Sequence, residues 1–228
     1  MVNLRSFLNY SWGVLSYTIL VILFGAFVRA GLHGDGCGKN WPNCNGQLIP
    51  SGTNLSETIE FTHRATSGVL LPLIIALIVW AARSFGAKSS VAKAAWASLF
   101  FTLTEAFVGA VLVTQGWVTT DESLGRVVIM GFHLVNTFFL LGCLTAVIHF
   151  ARGGQPVRFK GSGQVGWAVA LGIVGLLILG ITGAITALGD TIYASGSFME
   201  GLQKDLDPNS PLLIRLRGIH PLVATSVG

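Results

Sequence analysis

Apolar and polar positions along this chain segregate into long blocks, with no short alternation of the kind an amphipathic soluble fold shows. Five apolar runs, at about 12–32, 60–82, 92–114, 126–150 and 164–188, are separated by short polar stretches, and a sixth begins near residue 213. A run of about 20 residues, rising 1.5 Å per residue as a helix, crosses the roughly 30 Å hydrocarbon core of a bilayer. A loop or open sheet edge facing lipid would strand backbone N–H and C=O groups, so helices are the expected spanning elements. The pattern predicts an all-α polytopic membrane protein. Residues 1–150 are expected to form an antiparallel transmembrane four-helix bundle and residues 151–163 a linker. Residues 164–228 are expected to start a second, pseudo-symmetric bundle. The first run is long and lacks a small-residue cleavage site, which argues against a cleavable signal peptide.

Composition agrees: of 228 residues, 52% are hydrophobic and only 11% charged, and 29 are glycine. The net charge of +4 is unevenly placed. Arg5, Arg83, Lys88, Lys93, Arg152, Arg158 and Lys160 gather at the N-terminus and near 83–93 and 151–163, without acidic company. The alternate loops mix Lys and Arg with Asp35, Glu57, Asp121, Glu122, Asp190, Glu200, Asp205 and Asp207. The positive-inside rule then predicts a cytoplasmic N-terminus and an outside location for the loop after the first run. The excess positive charge is a matter of topology, and no nucleic acid is invoked.

That first loop, GLHGDGCGKNWPNCNG (31–46), holds two of the three cysteines. In an oxidising compartment thiols pair, and Gly38 and Pro42 favour a tight turn, so a Cys37–Cys44 disulfide is the natural reading. A zinc site with His33 as a third ligand is the alternative, although a fourth ligand is missing. Cys143, within the fourth run, reads as a small packing residue.

Ionisable residues inside spans are costly and face a bundle interior or a cavity. His63 in IEFTHRATSG and His133 in VIMGFHLVN fall in runs of the same direction, at similar depth, roughly 9–12 Å below the outer surface at 1.5 Å per residue. A matched pair on parallel helices suits the two axial positions of a haem iron, whereas a lone membrane histidine more often hydrogen-bonds across helices. His149 reads as interfacial. Glu60, three residues before His63, shares its helix face; it is either a helix-start carboxylate favoured by the dipole or an acid–base group beside a bound ring. Arg29 and Arg64 lie near the outer interface, where they either pair with carboxylates or snorkel to headgroups. Glu105, inside the third run, needs a polar partner, with Arg29 one candidate.

The odd-numbered runs end alike, in FGAFVRAG (24–31), VGAVLVTQG (108–116) and ITGAITALG (181–189). A larger repeat pairs LFGAFVRAGLHGDG plus EFTHRATSGVL with LGITGAITALGDT plus RGIHPLVATSVG, which aligns His63 with His220. The repeat predicts two further spans and a fourth histidine beyond Gly228.

GCGKNWPNCNG after a helix ending GAFVRAG, then IEFTHRATSG, then a histidine in the fourth run, resembles the haem A synthase family. The resemblance covers nearly the whole chain and is closer in the first 150 residues. It implies two pseudo-symmetric four-helix halves and an oxidoreductase that converts the substrate haem O to haem A by oxidising a ring methyl to a formyl group. It further implies His63 and His133 as axial ligands of the substrate haem and Glu60 as the catalytic carboxylate. Cys37 and Cys44 match the family's disulfide, and His220 matches a ligand of a cofactor haem b. Arg29, Arg64, Arg215 and Arg217 are the propionate candidates. The implied partners are haem O, a haem O synthase, a membrane electron donor and lipid, with a homo-oligomer admitted, in a bacterial plasma membrane. Two departures stand out: the loop after the fifth run has no cysteines, and His220 is followed by Pro221 where His63 is followed by Arg64. Rival readings are a di-haem b-type electron carrier, which needs the histidines but no Glu60, and a haem transport or assembly protein.

Overall fold

The computed structural model describes residues 3–52, 54–156 and 163–227. Arg158 and Lys160, and with them residues 157–162 of the expected linker, lie outside the described residues. The described residues form eight helices: α1 (Leu4–Ala30), α2 (Leu55–Phe85), α3 (Ser90–Gln115), α4 (Leu124–Ala151), α5 (Gly163–Ile192), α6 (Phe198–Leu206), α7 (Leu212–Arg217) and α8 (Ile219–Val227). The first five are long and apolar enough to cross a membrane, and the chain is an all-α, multi-pass integral membrane protein.

Polar caps set the helix ends. Asn3, Asn54 and Ser89 accept hydrogen bonds from the backbone N–H groups of Ser6, Ser56 and Ala92, satisfying donors that a helix start leaves open. α3 stops at Gly116, whose left-handed φ of 71° suits glycine. Within the spans, hydroxyls such as Ser11, Thr18, Ser98 and Thr102 donate to the carbonyl four residues back, so these donors are not left bare in an apolar setting.

The chain divides into two compact units: Met1–Asp121 with Asn136–Pro156, and Glu122–Val135 with Val157–Gly228. In the first, α1 packs on α2 and α2 on α3, around a core that includes Phe7, Ile74, Leu77, Ala95, Leu144 and Val147. In the second, α5 packs on α7 and α8, and Val127, Leu188 and Leu213 form a small buried cluster. The N-terminal part of α4, with His133, thus belongs to the second unit, and His63 to the first.

The expected sixth span starts at Leu212 but is interrupted at Gly218. Pro221 explains the break, because it has no N–H for the Arg217 carbonyl four residues back. The Thr186 hydroxyl of α5 lies 3.4 Å from that carbonyl and 3.0 Å from the Thr182 carbonyl of its own helix.

Candidate functional site

The cysteine loop folds down onto the N-terminal end of α2. Cys37 and Cys44 form a disulfide with Cα atoms 4.3 Å apart, and both residues are fully buried. The zinc alternative is thereby displaced, since both thiols are consumed; among the described residues no cluster of three His, Cys, Asp or Glu side chains stands ready for a metal ion. Cys44 and Gln47 exchange two backbone hydrogen bonds of 2.9 Å, through a turn whose Asn45 and Gly46 have φ of 50° and 81°.

Four α2 residues bind this loop along one helical face. The Ser56 hydroxyl meets His33 Nδ1 at 2.9 Å. Glu57 Oε1 accepts from Asn45 Nδ2 at 2.8 Å. Glu60 Oε2 accepts from the Cys37 N–H at 2.8 Å. Arg64 donates from Nη1 to the carbonyls of Asn40 and Asn43, at 2.6 and 2.9 Å, and from Nη2 to Glu60 Oε1 at 2.5 Å. Gly36 lies so close to α2 that a Cβ there would collide with the Ser56 carbonyl group. Glu60 is 3% exposed, so its carboxylate is both a buried anion and the latch of the lid. Its helix face and the loop over the start of α2 are legible in the sequence, whereas its bond to the Cys37 N–H is not.

His63 projects from α2 toward α1. A Cβ on Gly25 would meet its Cε1 at 2.9 Å and Nε2 at 3.0 Å, so any larger residue there would push the ring aside. Phe24 meets the ring edge-on with centroids 5.6 Å apart. The second unit repeats this arrangement: a Cβ on Gly183 of α5 would meet His220 Cε1 at 3.1 Å. Gly25 and Gly183 hold the same place in the internal repeat, as do His63 and His220, and so do Phe24 and Thr182. The Thr182 hydroxyl lies 3.0 Å from His220 Nδ1.

Three residues before each histidine the two units differ in sign. Where the first has Glu60, the second has Arg217, also buried. Arg217 pairs through Nε with Asp205 and through Nη1 with Asp190 at 2.8 Å, and donates from Nη2 to the Gly201 carbonyl at 3.2 Å. It therefore tethers α6, in a loop that has no disulfide, much as Glu60 tethers the disulfide loop. Of the two sequence-nominated arginines in this segment, Arg217 is committed to carboxylates and Arg215 is exposed. In the first unit Arg64 is committed to the lid, while the buried Nε of Arg29 has no hydrogen-bond partner among the described residues.

Sequence reasoning missed Arg126. It is 2% exposed, in the first turn of α4, seven residues or two turns from His133 and hence on the same face. Its proximity to a nominated histidine at heptad spacing was the available signal. Glu105 finds the Thr137 hydroxyl at 2.5 Å. His149, exposed at the far end of α4, meets the Gln155 carbonyl at 3.0 Å.

Histidines seated against glycines, one of them on the helix that carries a disulfide-pinned loop, lie in a multi-pass helical membrane protein. Imidazoles, glycine-backed helix faces and an arginine with a buried unpaired donor are groups that would suit a haem and its carboxylates. The chain belongs to the haem A synthase family: the cytochrome oxidase assembly protein family COX15-CtaA matches residues 51–227. A heme A synthase of Exiguobacterium sibiricum is 34% identical over 140 residues, covering 61% of this chain and 45% of that protein. One from Lysinibacillus sphaericus is 38% identical over 108 residues, covering 46% and 35%. A protoheme IX farnesyltransferase of Thermus thermophilus is 48% identical over 220 residues, 96% of this chain but 36% of that protein. The chain thus spans between about a third and a half of the length of these relatives. No solved structure matches it.

Proposed function

We propose that the protein of this chain is a haem A synthase, oxidising the ring methyl of haem O to a formyl group. The observation that carries the reading is the pair of glycine-backed histidines, His63 and His220, one per unit, of which only His63 stands beside a buried glutamate. In this scheme the N-terminal half, residues 1–150, receives haem O, with His63 and His133 as its axial ligands. Residues 164–228 begin the half that holds haem b, with His220 as one ligand. Haem b, when bound, supplies a one-electron relay to a membrane partner.

The chain's own residues do the rest. Arg29 in the first unit and Arg215 in the second, neither hydrogen-bonded to a carboxylate among the described residues, are the propionate candidates of their own units. The lid closes the outer mouth and keeps water access narrow. Glu60, fixed by Arg64 and the Cys37 N–H, places negative charge beside the reacting methyl carbon, where it stabilises developing positive charge or orients the attacking water. Each of two successive oxidations at that carbon breaks one C–H bond and forms one C–O bond to a water oxygen. Each releases two protons and two electrons, the electrons passing to a membrane electron acceptor. The resulting hydrated aldehyde then loses water. The N-terminus faces the cytoplasm and the lid lies outside a bacterial plasma membrane, following the clustering of Arg5, Arg83, Lys88, Lys93 and Arg152.

The Thermus relative's name favours a second reading, prenyl transfer to protohaem. The match covers 36% of that protein, so its name is that of a longer chain. Membranes containing the full-length protein separate the two. The synthase reading expects haem O to become haem A, with no farnesyl added to protohaem from farnesyl diphosphate; the opposite pattern overturns it.

A further inference from the structure

Thr182 sits on α5 one residue before Gly183, so it borders the wall against which His220 packs. Its hydroxyl lies 3.1 Å from the carbonyl oxygens of both Ile178 and Leu179, and 3.0 Å from His220 Nδ1. A hydroxyl has one proton to give. Two arrangements satisfy these distances: the hydroxyl donates to a helix carbonyl and its oxygen accepts from His220 Nδ1–H, or the hydroxyl donates to a bare Nδ1. Only the first leaves Nε2 with its lone pair. One turn further along α5 the Thr186 hydroxyl lies 3.4 Å from the Arg217 carbonyl that Pro221 leaves open, but nearer, at 3.0 Å, to the Thr182 carbonyl of its own helix. Thr182 is thus the α5 hydroxyl that meets the segment bearing His220 through its ring.

We infer that Thr182 is a positioning residue for haem ligation: it holds His220 as the Nδ1–H tautomer with the Nε2 lone pair presented to iron. A ligating histidine characteristically donates its other N–H to an oxygen, which fixes the ring and raises its basicity. The equivalent place in the first unit is Phe24, an aromatic edge against His63 that offers no oxygen. The histidine assigned to the resident cofactor therefore has a hydroxyl clamp at the position where the substrate-side histidine has a ring. This rests on the reading of His220 as a haem ligand, and it adds a residue that the family resemblance does not supply.

The test uses the full-length protein purified in detergent, with Thr182→Val, Thr182→Ser and His220→Ala variants. The readouts are the rate of haem b transfer to excess apomyoglobin and the midpoint potential of the haem b band. Thr182→Val is expected to lose haem b about 10–100-fold faster, the usual cost of removing an outer-shell partner. Its potential should rise, because a less basic imidazole stabilises the ferric state less. Thr182→Ser keeps the acceptor and should behave as wild type. Should Thr182→Val match wild type in both rate and potential while His220→Ala loses haem b, the clamp is wrong and the ligand reading survives. Full retention of haem b in His220→Ala would overturn both together.

Discussion

Glu60→Ala separates the latch from the chemistry. The carboxylate makes two connections, to the Cys37 N–H at 2.8 Å and to Arg64 at 2.5 Å, with the Glu60 and Arg64 side chains only 4% and 12% exposed. Removing one partner of a buried ion pair costs about 3–5 kcal/mol. Arg64 keeps the Asn40 and Asn43 carbonyls, so the low end, about 3 kcal/mol, applies. That corresponds to on the order of a 100-fold increase in local opening of the lid. Glu60→Gln keeps an acceptor but loses the charge assistance, worth about 1.5 kcal/mol or roughly tenfold. Hydrogen exchange read by mass on peptides covering 31–46 measures this directly, because the Cys37 amide is the one released. The disulfide keeps the loop closed on itself, so the effect should stay local to the lid and the first turns of α2. Unchanged exchange in Glu60→Ala would refute the latch, whatever happened to activity.

Further outcomes follow from the same geometry. Gly25→Ala should displace the His63 ring by about half an ångström or more, since ordinary carbon contacts lie near 3.5–4.0 Å, and should broaden the spectrum of haem bound in that half. Gly109→Ala, at the matching place in α3 where a Cβ meets nothing within 4 Å, is the silent control, and an equal response from both would contradict the wall. Asp205→Asn should loosen α6 from Arg217 and raise its protease sensitivity while leaving cleavage in the disulfide loop unchanged. The Tyr193 hydroxyl, hydrogen-bonded to the Glu122 carboxylate, has its pKa pushed up from 10.0 to about 12. Its folded value lies above its unfolded one, so the stability it adds is complete below about pH 10 and fades as pH rises toward about 12. Unfolding in detergent at stepped pH should show wild type losing its margin over Tyr193→Phe across that window, and a constant margin would count against the bond.

The five spans were legible because a bilayer demands length and hydropathy, which a sequence displays openly. Their ends were not. α1 begins at Leu4 and α2 at Leu55, well before the apolar runs, because Asn3 and Asn54 start helices whose first turns are polar. α6 was missed for the same reason, since it is short and amphipathic; its marker was the capping pair Ser197 and Glu200, where the serine oxygen accepts from the glutamate N–H at 3.2 Å. The break at Gly218 was written in Pro221. At the site, the sequence nominated His63, His220, Glu60 and the cysteines through their spacing. It could not reveal that Arg64 and Arg217 hold loops, because that depends on which backbone carbonyls the folded loops bring back to the helices.

The central claim, a substrate haem at His63 and a cofactor haem at His220, is tested most directly by counting haems. The full-length protein, expressed beside a haem O synthase, would be purified as wild type, His63→Ala and His220→Ala, and its extracted haems identified by chromatography and mass. The account predicts haem b together with haem O or haem A in wild type. His63→Ala should retain haem b but lose the farnesylated haem, and His220→Ala should do the reverse. A single haem type lost equally from both variants would contradict it.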